Sequence, residues 1–106
     1  MSKKSTGINR SSKFRGVSLN GEKFQVITYN SKKIDYLGSF HDEKLAAVIF
    51  DIWQIQMYDL KGKTNFQYTK SMVMAIFLQP NLIYLLKGKT SLYDYFGRRI
   101  NLLKKE

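Results

Sequence analysis

FRGVSLNGEKFQVITYNSKKIDYLGSF, residues 14–40, decides the fold. Asn20-Gly21 is the strongest short-range hairpin signal, because both residues tolerate the positive φ that a two-residue turn demands. Residues 14–19 before the turn and 24–29 after it read as strands. In the second, Phe24, Val26 and Thr28 fall on one face and Gln25, Ile27 and Tyr29 on the other. Asn30-Ser31 supplies the next turn, and residues 34–40 read as a third strand. Strands joined by turns this short pair antiparallel.

A helix is expected over residues 42–58. Asp42 is a suitable N-cap, and Glu43 places a favourable charge in the first turn. The apolar positions Leu45, Ala46, Val48, Ile49, Ile52, Trp53, Ile55 and Met57 spread over more than one stripe. A helix lying on a sheet needs only about a third of its surface apolar, so a second cover is required. The C-terminal part can supply it. Ser71 caps a short helix over 72–79, which Pro80 ends. A further apolar run occupies 82–86. Ser91 and Asp94 form a capping-box-like pair. They open a third helix with an apolar face of Leu92, Phe96, Ile100 and Leu103, and with Arg98, Arg99, Lys104 and Lys105 on or near its other side. Too many apolar residues fall in 71–106 to leave in water, so this segment is expected to belong to the folded unit. The expected fold class is α+β: a three-stranded antiparallel sheet packed on one helix, with a C-terminal helical extension.

A chain of 106 residues fits one domain with a small core. It has no cysteine and one histidine, His41. Disulfides, zinc fingers and cysteine nucleophiles are thereby excluded, and an enzyme is not expected. Apolar runs such as 72–78 are too short to span a bilayer. No apolar stretch follows Lys3-Lys4, so no secretory signal is expected, whereas a basic, Ser-rich, acid-free start suits organelle transit. The net charge is +10. It is concentrated at the two ends: residues 1–33 carry eight basic side chains against Glu22, and residues 61–106 carry nine against Asp94 and Glu106. The middle is acidic, with Asp35, Asp42, Glu43, Asp51 and Asp59 against Lys44. Basic ends on so small a chain point to a polyanionic partner.

Four strings at fixed order carry a family resemblance. They are Phe14-Arg15-Gly16-Val17, Tyr36-Leu37-Gly38-Ser39-Phe40, Ala46-Ala47 followed by Phe50-Asp51, and Lys63-Thr64-Asn65-Phe66. Together they resemble the Apetala/ethylene-response-factor DNA-binding domain family, whose pattern reads (Y/F)RGV, (Y/W)LGxF, AAxA(Y/F)D and NF. The resemblance covers residues 14–66, leaving 1–13 as a solvated basic arm and 67–106 as the extension. It implies three antiparallel strands on one helix, an open sheet face that meets the DNA major groove, and an Arg15 that reaches nucleic acid from that face. An ion pair with Asp35 is the competing role for Arg15. For Gly16 and Gly38 the resemblance implies close backbone approach, for Asn65 backbone capping, for Ala46 and Ala47 a helix lying close on the sheet, and for Asp51 a backbone or arginine contact. The chain departs from the pattern at Trp53 and Gln54, where the family has alanines, and at Asp59, where it has a helix-ending glycine.

The chain departs most on the open face. Ser18, Ile27, Tyr29, Ile34 and Tyr36 stand where the family carries arginines and tryptophans. Base reading in the major groove needs forked donors, which these side chains lack. Such a face either stacks unpaired bases and packs on backbone and sugar, which suits RNA, or it is covered by protein, whether the C-terminal segment or a partner. Lys61-Gly62-Lys63-Thr64 recurs as Lys87-Gly88-Lys89-Thr90, but the glycine that a phosphate loop needs further upstream is Met57 or Ile83. Exposed turns with lysines suit backbone phosphates better. His41 has no second ligand nearby and belongs at the sheet–helix junction.

The expected function is nucleic-acid binding dominated by backbone contacts, as a structural RNA-binding component of a ribonucleoprotein such as an organelle ribosome. The alternatives are a sequence-specific, nuclear, duplex-DNA-binding transcription factor and a protein-interaction module. The expected contact residues are Lys3, Lys4, Arg10, Lys13, Arg15, Lys23, Tyr29, Lys32, Lys33, Tyr36, Lys61, Lys63, Arg98 and Arg99. No cofactor or metal is expected. The expected partners are nucleic acid, with RNA ahead of DNA, and neighbouring protein subunits, with no membrane. A mitochondrion or other organelle is the expected compartment.

Overall fold

The computed structural model describes residues 10–29 and 34–105. Asn30-Ser31, Lys3, Lys4, Lys32 and Lys33 lie outside the described residues.

The strands are β1 (Arg10–Ser11), β2 (Val17–Asn20), β3 (Lys23–Tyr29) and β4 (Ile34–Phe40), antiparallel in that spatial order. Three of them form the expected sheet. The fourth, β1, adds two residues to its edge, with Arg10 opposite Leu19 and Ser11 opposite Ser18. Arg10 and Ser11, near the end of the basic arm, are therefore paired, which satisfies part of the free edge of β2. The hairpin turns one residue later than expected, at Gly21-Glu22 between the paired Asn20 and Lys23, and Gly21 adopts φ +67°. The first strand begins at Val17, not at 14. Phe14–Gly16 instead make a tight turn in which the Val17 N–H donates to the Phe14 carbonyl at 3.4 Å. Gly16 sits at φ +79°, and a Cβ there would fall 2.1 Å from the Phe50 ring. Its lack of a side chain lets the turn rest on the helix.

Helix α1 (Glu43–Tyr58) crosses behind the sheet. Asp42 caps it, its carboxylate accepting from the Lys44 N–H at 2.9 Å and the Leu45 N–H at 3.4 Å. Residues 45–53 are buried without a break, and Ile55 with them. Two layers cover the helix. The sheet contributes Val17, Val26 and Phe40 on one side. On the other lie α2 (Lys70–Phe77), α3 (Leu82–Leu86) and α4 (Leu92–Phe96), through buried Ile76, Leu82, Leu86 and Leu92. The second cover is thus the C-terminal extension. It leaves the open sheet face free, so that segment is not what meets Tyr29, Ile34 and Tyr36. Among the described residues no helix is long and apolar enough to cross a membrane.

Three expected details of the extension differ. Thr69, not Ser71, caps α2, its hydroxyl accepting from the Met72 N–H at 3.1 Å. The helix starts there because Tyr68 is anchored to α1, which leaves Thr69 as the first free N-cap residue. The third helix stops at Phe96 instead of running to Leu103, because Gly97 takes the left-handed conformation at φ +73° and its N–H closes on the Tyr93 carbonyl at 2.8 Å. Beyond it the chain is extended and pairs Lys104 with Phe66. Finally, several of the apolar residues of 71–106 stay in water, with Phe77, Leu78, Leu85, Phe96 and Leu103 exposed.

Leu86 is fully buried against α1, so Leu86→Ala should cost about 2–5 kcal/mol in urea unfolding. An unchanged midpoint would mean that the extension does not share the core.

Candidate functional site

The site is built on one buried carboxylate. Asp51 lies inside α1 with no exposure. One of its oxygens accepts from the Asn65 N–H at 2.6 Å and from Asn65 Nδ2 at 3.1 Å. The other accepts from the Phe66 N–H at 3.0 Å and the Tyr68 hydroxyl at 2.8 Å. Burial pushes the Asp51 carboxyl up to about 6, against four donors that hold it down. Burial and the nearby carboxylate push the Tyr68 hydroxyl up as well, so it stays a donor.

Asn65 passes this anchorage to the sheet. Its Oδ1 accepts from the Arg15 N–H at 2.6 Å and its Nδ2 donates to the Arg15 carbonyl at 3.0 Å. Both backbone groups of Arg15 are thereby occupied. The side chain is exposed. The Lys105 N–H donates to the Asn65 carbonyl at 2.7 Å, and the Gln67 N–H to the Leu103 carbonyl at 2.8 Å. These bonds lay the C-terminal segment beside the same loop.

The result is a cleft of about 410 Å³ lined by Lys13, Arg15, Gly62, Lys63, Thr64, Asn65, Lys104 and Lys105. Five cations and, among the described residues, no carboxylate line it. Phe14, tilted against Phe66 at a ring distance of 5.2 Å, lies between Lys13 and Lys104, whose ammonium groups lie 5.4 and 5.5 Å from its ring. A second hollow of about 340 Å³ opens on the sheet face, lined in part by Ser18, Ile27 and Tyr29. It shares Lys13 and Arg15 with the first, so Arg15 stands where cleft and open face meet. Such a cationic concavity concentrates anions.

Of the expected contact residues, Lys13, Arg15 and Lys63 converge on the cleft, and Tyr29 and Tyr36 lie exposed on the open face. Lys23 continues the row of Gln25, Ile27 and Tyr29 along β3. Arg10 belongs to β1. Lys61 is exposed in the turn after α1 and does not line the cleft. Arg98 borders an apolar groove between α1, α2 and α4, and Arg99 is exposed after α4, so neither joins the cationic group. Lys104 and Lys105 do join it and were not among the expected contacts. Gly97 was the signal that could have found them, since a helix ending there frees the last residues to return to the Asn65 loop.

The repeated Lys-Gly-Lys-Thr string is used once. A Cβ on Gly62 would fall 2.7 Å from the Gln54 carbonyl oxygen, and the Lys63 N–H donates to Gln54 Oε1 at 3.0 Å. This copy is packed on α1, its N–H committed, rather than cradling a phosphate. Gln54 thus holds the loop that follows α1. Trp53 likewise packs on its own helix, between Phe50 at 6.5 Å and Tyr58 at 5.8 Å. Asp59 takes the expected positive φ, +59°. His41 is exposed between β4 and α1.

No protein-family model matches this chain, and no curated protein matches it in sequence.

The Asp51 carboxyl has a folded value near 6 and an unfolded value near 4. Between them the folded state holds a proton that the unfolded state releases, so this stabilising term is present below about pH 4 and lost as pH rises through 6. Asp51→Asn should flatten that part of the stability profile. It should also destabilise the fold at neutral pH by about 3 kcal/mol, because the amide turns one acceptor into a donor facing donors. Parallel wild-type and variant profiles by chemical denaturation would contradict this assignment.

Proposed function

We propose that the protein binds nucleic acid through backbone-dominated contacts, as a structural RNA-binding component of a ribonucleoprotein such as an organelle ribosome. We further propose that residues 14–66 form a domain of the Apetala/ethylene-response-factor type put to this use. The observation that carries the reading is the cleft of Lys13, Arg15, Lys63, Lys104 and Lys105, with no carboxylate among its described lining residues and continuous with the open sheet face. A fixed group of cations binds phosphates by releasing counterions, which requires no particular base sequence. Arg15 is the strongest member, because a guanidinium on a clamped backbone loses little freedom when it grips a phosphate.

RNA is favoured over a specific duplex by what the sheet face carries. Apart from Arg15 at its border, it presents Ser18, Ile27, Tyr29, Ile34 and Tyr36, which offer no forked donor to a guanine edge. Neighbouring protein subunits are favoured by the outer side of α2 and the turn after α1, where Leu60, Met74 and Phe77 stay exposed around one apolar hollow.

Fluorescence anisotropy with single-stranded RNA over a salt series tests the reading. Each phosphate neutralised on a single strand adds about 0.7 to the slope, so five cations should give a slope between about 3 and 4. Arg15→Ala should lower the slope by about 0.7 and weaken binding by roughly 1–3 kcal/mol, with the melting temperature unchanged. A flat salt dependence, or strong preference for one short DNA duplex over all RNA, would overturn the proposal.

A further inference from the structure

The apolar centre of the open sheet face is a two-by-two block. Ile27 lies opposite Tyr36, and Tyr29 opposite Ile34. Tyr29 is 67% exposed, Ile34 64% and Tyr36 58%. The two tyrosines are diagonal neighbours across the strands, a relation that spaces them about 7–8 Å apart.

One of them is held in place by a device of the backbone. The pairing of β3 with β4 shifts between Val26 and Ile27, so Leu37 is the extra residue of a bulge. Gly38 follows it at φ +139°, where a Cβ would fall 2.9 Å from the Phe40 ring. In a regular strand, residues three apart point to opposite faces. The bulge brings Ser39 round to the face of Tyr36, and their hydroxyls hydrogen-bond. A tyrosine tied to the residue three positions ahead lies along its strand. Its hydroxyl is held while the side chain stays exposed.

The borders of the block are cationic or neutral. Lys13 and Arg15 line the hollow beside Ile27 and Tyr29, Lys23 ends the same row, and Ser18, Gln25 and Ser39 fill the remainder. No described position of this face carries a carboxylate.

We propose that this face is a stacking platform for unpaired bases, on which Tyr29 and Tyr36 each take one base of a single-stranded RNA. This rests on the nucleic-acid reading above and specifies the substrate within it. The phosphates of the strand run toward Lys13, Arg15 and the cleft. Every base has a π-face, so such stacking is tolerant of sequence, while a duplex keeps its base faces covered by their neighbours. Aromatic rings bordered by cations and lacking acids complement a base-bearing polyanion more closely than a protein surface of mixed charge.

The test uses the full chain, a uridine dodecamer and an RNA duplex of equal length as probes, with anisotropy and thermal melting as readouts. Tyr36→Ala and Tyr29→Ala should each lose about 5- to 150-fold in affinity for the dodecamer, leave the salt slope and the melting temperature in place, and leave duplex binding unchanged. Tyr36→Phe, which keeps the ring and loses only the bond to Ser39, should retain most of the affinity. If both alanine variants bind the dodecamer like wild type while Arg15→Ala weakens it, the platform is overturned and nucleic-acid binding stands. Equal losses on dodecamer and duplex also overturn it. A wild-type chain that binds neither probe overturns the reading beneath. Photo-crosslinking from position 36 in the native assembly to protein instead of RNA would assign the face to a subunit and overturn the platform.

Discussion

Everything at the site hangs from the Asp51 carboxylate. A buried charge is costly unless its lone pairs are filled, and here four donors fill them. All four come from residues 65, 66 and 68, which fixes the chain after α1 in one path across the helix. Asn65 then uses its remaining amide capacity on both backbone groups of Arg15. Helix, post-helix loop and first turn of the sheet are thus joined by polar bonds at a place where the core alone would leave them free to slide. The same path gives the C-terminal segment its docking edge, at the Asn65 carbonyl and the Phe66 backbone.

The electrostatic character of the cleft follows from this arrangement. Lys13 and Arg15 come from the turn before β2, Lys63 from the post-helix loop, and Lys104 and Lys105 from the chain end. These positions are scattered in sequence and are gathered by bonds that involve none of their charged groups. The cations are therefore held near one another, with no carboxylate among the described lining residues. Phe14 supports two of them from below by cation–π attraction, which tolerates partial desolvation and leaves the ammonium groups available to an anion.

Much of the architecture was legible in the sequence. Asn20-Gly21 and the alternation of 24–29 located the hairpin and its faces, and the doubly apolar helix required a second layer, which the extension supplies. Gly16, Gly38, Asp51 and Asn65 took the kinds of role that their residue types suggest. Other features depended on pairing that no local pattern carries. The two-residue edge strand at Arg10 has no signal of its own length. The bulge at Leu37 became visible only through the register of β3 against β4. Lys104 and Lys105 were assigned to a helix because the apolar spacing through Ile100 and Leu103 outweighed Gly97, and a helix-ending glycine in the left-handed conformation prevailed over that spacing.

The central claim is that Arg15, its neighbouring cations and the open sheet form one continuous surface for single-stranded RNA. The most direct measurement is an NMR titration of isotope-labelled protein with a short single-stranded RNA, reading backbone amide and lysine side-chain shifts. The account predicts perturbations at Lys13, Arg15, Lys63, Lys104 and Lys105 together with Tyr29 and Tyr36, with α2 and α3 unaffected. Perturbations confined to the outer side of α2 and α3, or none at saturating RNA, would contradict it.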